Sequence, residues 1–185
     1  GSKPLIAYTI EEALKSQYID DYIVSTDDEE IKNVSLKFNA QVPFLRPGEF
    51  STDEASSSSA LIHAVDFMEK KNGFNYDFII ELMCTNPLKN KHDIDSIIEK
   101  AYQTNAESVI AVHKLDDHHP ARIKKIVNDK IVDFCIEEPN EARRQDLRPL
   151  AYIRSGSIYC MRRDFLMDKG QRYGGDDSRP YILPD

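Results

Sequence analysis

The sequence predicts an α/β fold: a three-layer, doubly wound domain with a mostly parallel sheet and a protruding arm. Short apolar runs alternate with amphipathic stretches through residue 112, the order that places helices between strands. Those runs are continuous rather than alternating, as in strands covered on both faces. Beyond His113 the texture turns charged and irregular over residues 114–155, which reads as an inserted arm. With 185 residues, 41% of them hydrophobic, the chain has the size and apolar content of one ordinary domain.

Leu5-Ile6-Ala7, Ile10 and Ala13-Leu14 recur at three- and four-residue spacing, with Glu11 and Glu12 opposite. That is an amphipathic helix, with Pro4 suited to its first turn. Tyr22-Ile23-Val24 reads as a buried strand ended by Ser25-Thr26-Asp27-Asp28. Ser25, Thr26 or Asp27 is the predicted cap of the next helix. Glu29 and Glu30 suit its first turn and Asn39 its stop. Residues 42–45 form the next predicted strand. The loop over 46–59 follows, holding Pro47, Gly48 and four consecutive serines. Helical spacing restarts at Ala60. A strand over 78–82 is broken by Thr85-Asn86-Pro87, and a helix around Ile94, Ile97 and Ala101 precedes a strand over 108–112. Within the arm, candidate strands over 122–127 and 130–134 flank Asn128-Asp129, a pair suited to a tight hairpin. The chain returns to the sheet at 157–161. It opens directly on a helix and stops without a closing one, so both ends read as those of a fragment.

Composition excludes several classes. The net charge of −8 argues against general binding to nucleic acid or anionic membranes. The longest apolar runs, such as Phe78-Ile79-Ile80, fall far short of the ~20 residues of a membrane span. No secretory leader is visible. Cys84, Cys135 and Cys160 form no CxxC pair, which suits packed, reduced thiols of a cytosolic protein rather than disulfides or zinc ligands.

Ligands of open α/β sheets bind beyond the C-terminal ends of strands, and four loops occupy such positions: 25–28, 46–59, 83–90 and 113–120. Arg46-Pro47 and Ser56 to Ser59 offer a guanidinium, hydroxyls and a helix N-terminus to a phosphate or a nucleotide. They read also as a flexible loop ending in a serine cap. Met83-Cys84-Thr85-Asn86-Pro87-Leu88-Lys89 follows an apolar strand, and its Thr85 and Asn86 offer groups for a base edge or a sugar hydroxyl, or the segment is a plain strand-ending turn. His118-His119-Pro120 with Arg122, Lys124 and Lys125 is a basic island able to hold an acidic ligand, or a solvated strand. The same holds for Arg143-Arg144-Gln145-Asp146-Leu147-Arg148 and Arg154, whose bland alternative is an ion-paired arm using Glu137, Glu138 and Glu141. Neither a Ser-His-Asp nor a Cys-His arrangement is visible, and neither GxxxxGK[ST] nor GxGxxG occurs.

Taken in order, several segments resemble the acylneuraminate cytidylyltransferases, the CMP-sialic acid synthetase family. They are Lys3-Pro4-Leu5-Ile6-Ala7-Tyr8-Thr9-Ile10, Ile23-Val24-Ser25-Thr26-Asp27, and Phe44-Leu45-Arg46-Pro47 with Asp53 through Ser57. Thr85-Asn86-Pro87-Leu88, His118-His119-Pro120, Arg144-Gln145-Asp146-Leu147 and Gly156-Ser157-Ile158-Tyr159 follow. The resemblance implies a nucleotide-diphospho-sugar transferase-like fold and transfer of CMP from CTP to a nine-carbon keto-sugar acid, releasing pyrophosphate. It implies Mg²⁺ and a homodimer in which the arm of one subunit reaches the other's active site. By motif position, Arg46 and Ser57 would contact the nucleotide, with Met83 and Thr85 near base and sugar. Arg122, Arg144, Tyr152 and Arg154 would face the sugar acid.

The departures from the family pattern are specific. The family's first strand and its arginine- and glycine-bearing phosphate loop are not found ahead of Gly1, and its metal-binding Asp-x-Asp pair would lie beyond Asp185. The isolated chain is therefore expected to be inactive, with its Mg²⁺ ligands outside it. Met83-Cys84-Thr85-Asn86-Pro87 replaces the commoner Gln-Pro-Thr-Ser-Pro and is similar to the branch acting on legionaminic-type sugars. Pseudaminate or 3-deoxy-manno-octulosonate synthetases are the alternative enzymes, and a non-catalytic dimerising module is the alternative of another class.

Overall fold

The computed structural model describes residues 2–140 and 143–184. Gly1, Asp185 and Glu141, the last an expected partner of the arm's arginines, lie outside them. The chain divides into two compact units, one running to Ala111 and resuming over Gly156–Tyr181, the other comprising Val112–Ser155 and the residues from Ile182 on.

The first unit opens with α1 (Leu5–Ala13), where Pro4 takes the cap position instead of the first turn. The helix buries Ala7, Thr9, Ile10 and Ala13. Ile10 packs with Val24 and Ala40 in a small core. The strands predicted over 22–24 and 42–45 need correction, because they shrink to a single parallel bridge, Ile23 to Gln41. The Val24 N–H donates to the Gln41 carbonyl at 2.8 Å, and the Arg46 N–H to the Thr26 carbonyl at 2.8 Å. In a regular parallel ladder the bond between these two would come from the N–H of residue 43. That residue is Pro43, which has none.

Helix α2 (Glu29–Lys37) is capped by Asp28, whose carboxylate accepts from the Ile31 N–H at 2.8 Å. The predicted caps Ser25, Thr26 and Asp27 do not serve. Thr26 Oγ1 accepts from the Asp28 N–H instead, at 3.1 Å, and this turn pushes the cap one residue along. Asn39, just past α2, takes φ 66° as a helix stop requires. Helix α3 (Ser57–Asn72) begins inside the serine run, capped by the Ser56 hydroxyl. Helix α4 (Lys91–Thr104) carries a reciprocal Asn90–Asp93 capping box.

The sheet has four strands in the order β1 (Phe78–Leu82), β5 (Tyr152–Arg162), β2 (Ser108–Lys114) and β6 (Ser178–Ile182). β5 runs antiparallel to β1, with Ile80 opposite Cys160. Arg162, ending β5, donates its N–H to the carbonyl of Glu107, just before β2, so these strands are also antiparallel. Glu107 in turn donates to Asp177, just before β6, which makes β2 and β6 parallel. The sheet is therefore mixed, with β1, β2 and β6 pointing one way and β5 the other. Tyr159 and Met161 of β5 pack with Val65 of α3 and with Phe165 and Leu166 of α5 (Arg163–Met167). Their alternates Ile158 and Cys160 are fully buried too, so both faces are covered. Each large aliphatic buried this way contributes about 1.5–3 kcal/mol.

In the second unit β3 (Lys124–Val127) and β4 (Lys130–Asp133) form an antiparallel hairpin. Asn128 and Asp129 at its tip take φ 51° and 60°, the left-handed pair of a two-residue turn. The predicted strand over 122–127 starts two residues later, because Pro120–Arg122 is a 3-10 turn. His119 caps that turn and is buried: Nδ1 accepts from the Ala121 N–H at 3.2 Å, so Nε2 carries the proton toward the Pro149 carbonyl at 2.8 Å. Cys160 is a packed thiol whose burial pushes its pKa up to about 12, whereas Cys135 is exposed, unlike the packed thiol expected.

Candidate functional site

Four of the expected ligand-binding residues lie in the first unit. Arg46 ties two loops together: its Nε–H donates to Ser51 Oγ at 3.0 Å and its NH2 group to Asp27 Oδ1 at 3.2 Å. The loop after the Ile23 bridge and the loop that leads into α3 thus share one guanidinium. Ser57, the first residue of α3, is exposed at the positive end of the helix. Met83 follows β1, and its N–H donates to the Ser157 carbonyl of β5 at 3.0 Å. Its side chain turns inward onto the core of Val65, Tyr159 and Met161, so what it offers the rim is backbone. Thr85 is exposed.

Lys89 is the residue of this region that sequence reasoning missed. It is 4% exposed. Its ammonium donates to Thr9 Oγ1 at 3.0 Å, to the Met83 carbonyl at 2.7 Å and to the Asn86 carbonyl at 2.5 Å. Burial pulls its pKa down to about 8. A lysine in a polar turn normally reads as solvated, and no local signal pairs it with Thr9, 80 residues away. Helix α1 links the two groups of loops, since Thr9 accepts from Lys89 while Ile10 packs on Val24 and Ala40.

The other four expected residues lie in the second unit. Arg122 Nε stands 3.6 Å from a Glu138 oxygen, with side chains 40% and 33% exposed. Glu138 also receives Lys124 at 2.9 Å, and Lys124 reaches Asp133 as well. Arg144 pairs with Asp117, while Glu138, expected as a partner for the arm's arginines, receives Arg122 and Lys124. Tyr152 and Arg154 are exposed at the start of β5, two residues apart and so on one face of the strand. Exposed pairs of this kind contribute at most about 1 kcal/mol, so a ligand carboxylate or phosphate can replace Glu138 or Asp117 at small cost.

Mg²⁺, which the resemblance implies, finds no ready site here: among the described residues no group of three His, Cys, Asp or Glu side chains is placed to hold a metal. Among the described residues no helix is long and apolar enough to cross a membrane.

Comparison with known proteins places these loops in a family. A cytidylyltransferase family model matches residues 1–170. A pseudaminic acid cytidylyltransferase from Campylobacter jejuni is 35% identical over 158 residues, which are 85% of this chain and 66% of the relative. An N-acylneuraminate cytidylyltransferase from Escherichia coli is 33% identical over 183 residues, 98% of this chain and 41% of that protein. A CMP-N,N'-diacetyllegionaminic acid synthase from Legionella pneumophila is 25% identical over 99% of the chain and 77% of its own length. Among solved structures, a CMP:2-keto-3-deoxy-manno-octonic acid synthetase complexed with CTP superposes with a TM-score of 0.68 at 17% identity, covering 98% of this chain and 79% of that one; that likeness speaks for the fold. The chain thus spans about two thirds of the length of the pseudaminic acid relative. With the family model covering most of its length, the chain belongs to the cytidylyltransferase family.

Proposed function

We propose that this protein transfers CMP from CTP to a nonulosonic acid. The anomeric hydroxyl oxygen of the sugar attacks the α-phosphorus, the bond to the β-phosphate oxygen breaks, pyrophosphate leaves and the hydroxyl proton passes to solvent. The observation that carries this reading is that Arg46, Arg122 and Arg144 are each held by partly exposed carboxylates. Two mutually repelling anions need such exchangeable cations. In this reading Arg46 and Ser57 hold the nucleotide, with Thr85 and the Met83 backbone near base and sugar. Arg122, Arg144, Tyr152 and Arg154 receive the sugar acid, and Mg²⁺ supplies further charge neutralisation when bound. The second unit acts as a dimerising arm in a cytoplasmic homodimer, a role supported by the exposed pair Ile126 and Ile131, which face each other across the hairpin.

The sugar is open between two readings. The Met83-Cys84-Thr85-Asn86-Pro87 turn favours a legionaminic-type acid, and the 35% identity to a pseudaminic acid enzyme favours pseudaminic acid. Isothermal titration with CTP, then a panel of nonulosonic acids with pyrophosphate release as readout, tests the proposal. CTP binding by this chain, with turnover of one of these acids by the full-length protein, is the expected result. Binding of neither CTP nor any sugar acid by the full-length protein overturns it in favour of a non-catalytic module.

A further inference from the structure

Lys89 is a buried cation that, among the described residues, enters no ion pair. Its three protons go to three uncharged oxygens, those of Thr9, Met83 and Asn86. Burying a charge without a counter-charge costs several kcal/mol. For packing alone, a methionine of similar length would fill the site without that cost. What the ammonium accomplishes is positional: two of its acceptors are backbone carbonyls flanking Cys84 and Thr85, and the third is on α1. Thr9 adjoins Ile10, which packs on Val24 and Ala40, ahead of the segment that reaches Asp27 and Arg46. One side chain thus sets the shape of the 83–89 loop and anchors it to the helix shared with the Arg46 loops.

We infer that Lys89 is a positioning residue for nucleotide binding, fixing the 83–89 loop so that its backbone and Thr85 meet the base and sugar of CTP. The inference rests on the nucleotide role proposed above for that loop. Since all three ammonium protons are engaged, Lys89 acts through the loop and not by touching the ligand. Loss of a proton would remove one of the three bonds, and burial places that loss near pH 8. Among the titratable groups around it, Cys84 acts on the ammonium and favours its charged form; Tyr22 interacts with Cys84 in turn, and Glu12 of α1 accepts from the adjoining Lys91 N–H.

The test is CTP affinity by titration calorimetry on the full chain, wild type against Lys89→Met, Lys89→Arg and Thr9→Val, from pH 7 to 9.5. Lys89→Met is expected to weaken CTP by about tenfold or more, the loss of charge-assisted hydrogen bonds. Thr9→Val should weaken it by less, and Lys89→Arg should restore most of it. Wild-type affinity should fall as pH rises through about 8, while Lys89→Arg stays flat. Thermal stability should move the other way. The unfolded lysine keeps its proton to about 10.5 and the folded one releases it earlier, so wild type gains stability relative to Lys89→Arg over this range. A lysine with a purely structural role would show the stability trend without the affinity trend. If wild type binds CTP but Lys89→Met and Thr9→Val bind it as tightly, the inference falls and the proposed function stands. Should Lys89→Met fail to fold, a wild-type affinity flat from pH 7 to 9.5 overturns the inference, as does a slope that Cys84→Ser abolishes. No CTP binding by wild type removes both.

Discussion

Arg163 grips the buried Glu69 carboxylate with two hydrogen bonds of 2.7 Å each, and the Tyr76 N–H adds a third at 3.1 Å. The Arg163 hydrogen bonds hold the Glu69 pKa below its ordinary 4.5, outweighing burial, which pushes it up. A carboxylate whose folded pKa is lowered stabilises the fold fully above the unfolded value, and the effect is lost as pH falls through the folded one. Glu69→Gln is therefore expected to cost about 2 kcal/mol at neutral pH, and the difference from wild type should shrink below pH 4.5, as read by thermal melts. Arg122 is the opposite case. Its longer, partly exposed contact with Glu138 makes Arg122→Ala worth under about 0.5 kcal/mol of stability. In the proposed role the same change raises KM for the sugar acid by about tenfold or more and leaves CTP affinity unchanged. Equal losses for both substrates would reassign this arginine.

At the scale of elements, ends matter more than middles. Asp28 satisfies an N–H at the start of α2 that would otherwise lack a partner, so Asp28→Ala should lower stability by about 1 kcal/mol in a denaturant titration. Because α2 follows directly on the Thr26-Asp27 turn that meets Arg46, CTP affinity should weaken alongside. In the hairpin, Asp129 at φ 60° sits where glycine has no steric penalty. Asp129→Gly should stabilise the β3–β4 pair by a few tenths of a kcal/mol to about 1, seen as slower amide exchange at Lys125 and Val132, a hydrogen-bonded pair of the hairpin. Helix periods, the Asn39 stop, the serine-capped start of α3 and the Asn128-Asp129 turn were legible in the sequence, since each depends on residues within a few positions. The strands over 22–24 and 42–45 were misread. Their apolar runs were visible, but the missing N–H of Pro43 takes effect only once the partner strand and its register are known.

For the whole molecule, the exposed apolar pair Ile126 and Ile131 and the acidic balance make separate predictions. Ile126→Glu or Ile131→Glu should shift the protein toward monomer in analytical ultracentrifugation without disturbing the hairpin, because both side chains are already three-quarters exposed. A mass unchanged by either variant would leave the arm without its proposed role. A chain of net charge −8 that binds a triphosphate must do so through local cations. CTP affinity should accordingly fall with added salt, by titration at low and high ionic strength.

The sequence by itself determined the helices, the tight turn, the class of fold and, through motifs in register, the family, because local propensity and apolar spacing act over a few residues. Only the tertiary structure decided that β5 runs against its neighbours, that Asp117 faces Arg144, and that the Lys89 ammonium is buried between α1 and its own loop. Those outcomes depend on groups brought together from distant parts of the chain, 80 residues apart for Lys89 and Thr9. Desolvation and hydrogen-bond geometry select them, and neither exists until the chain has folded.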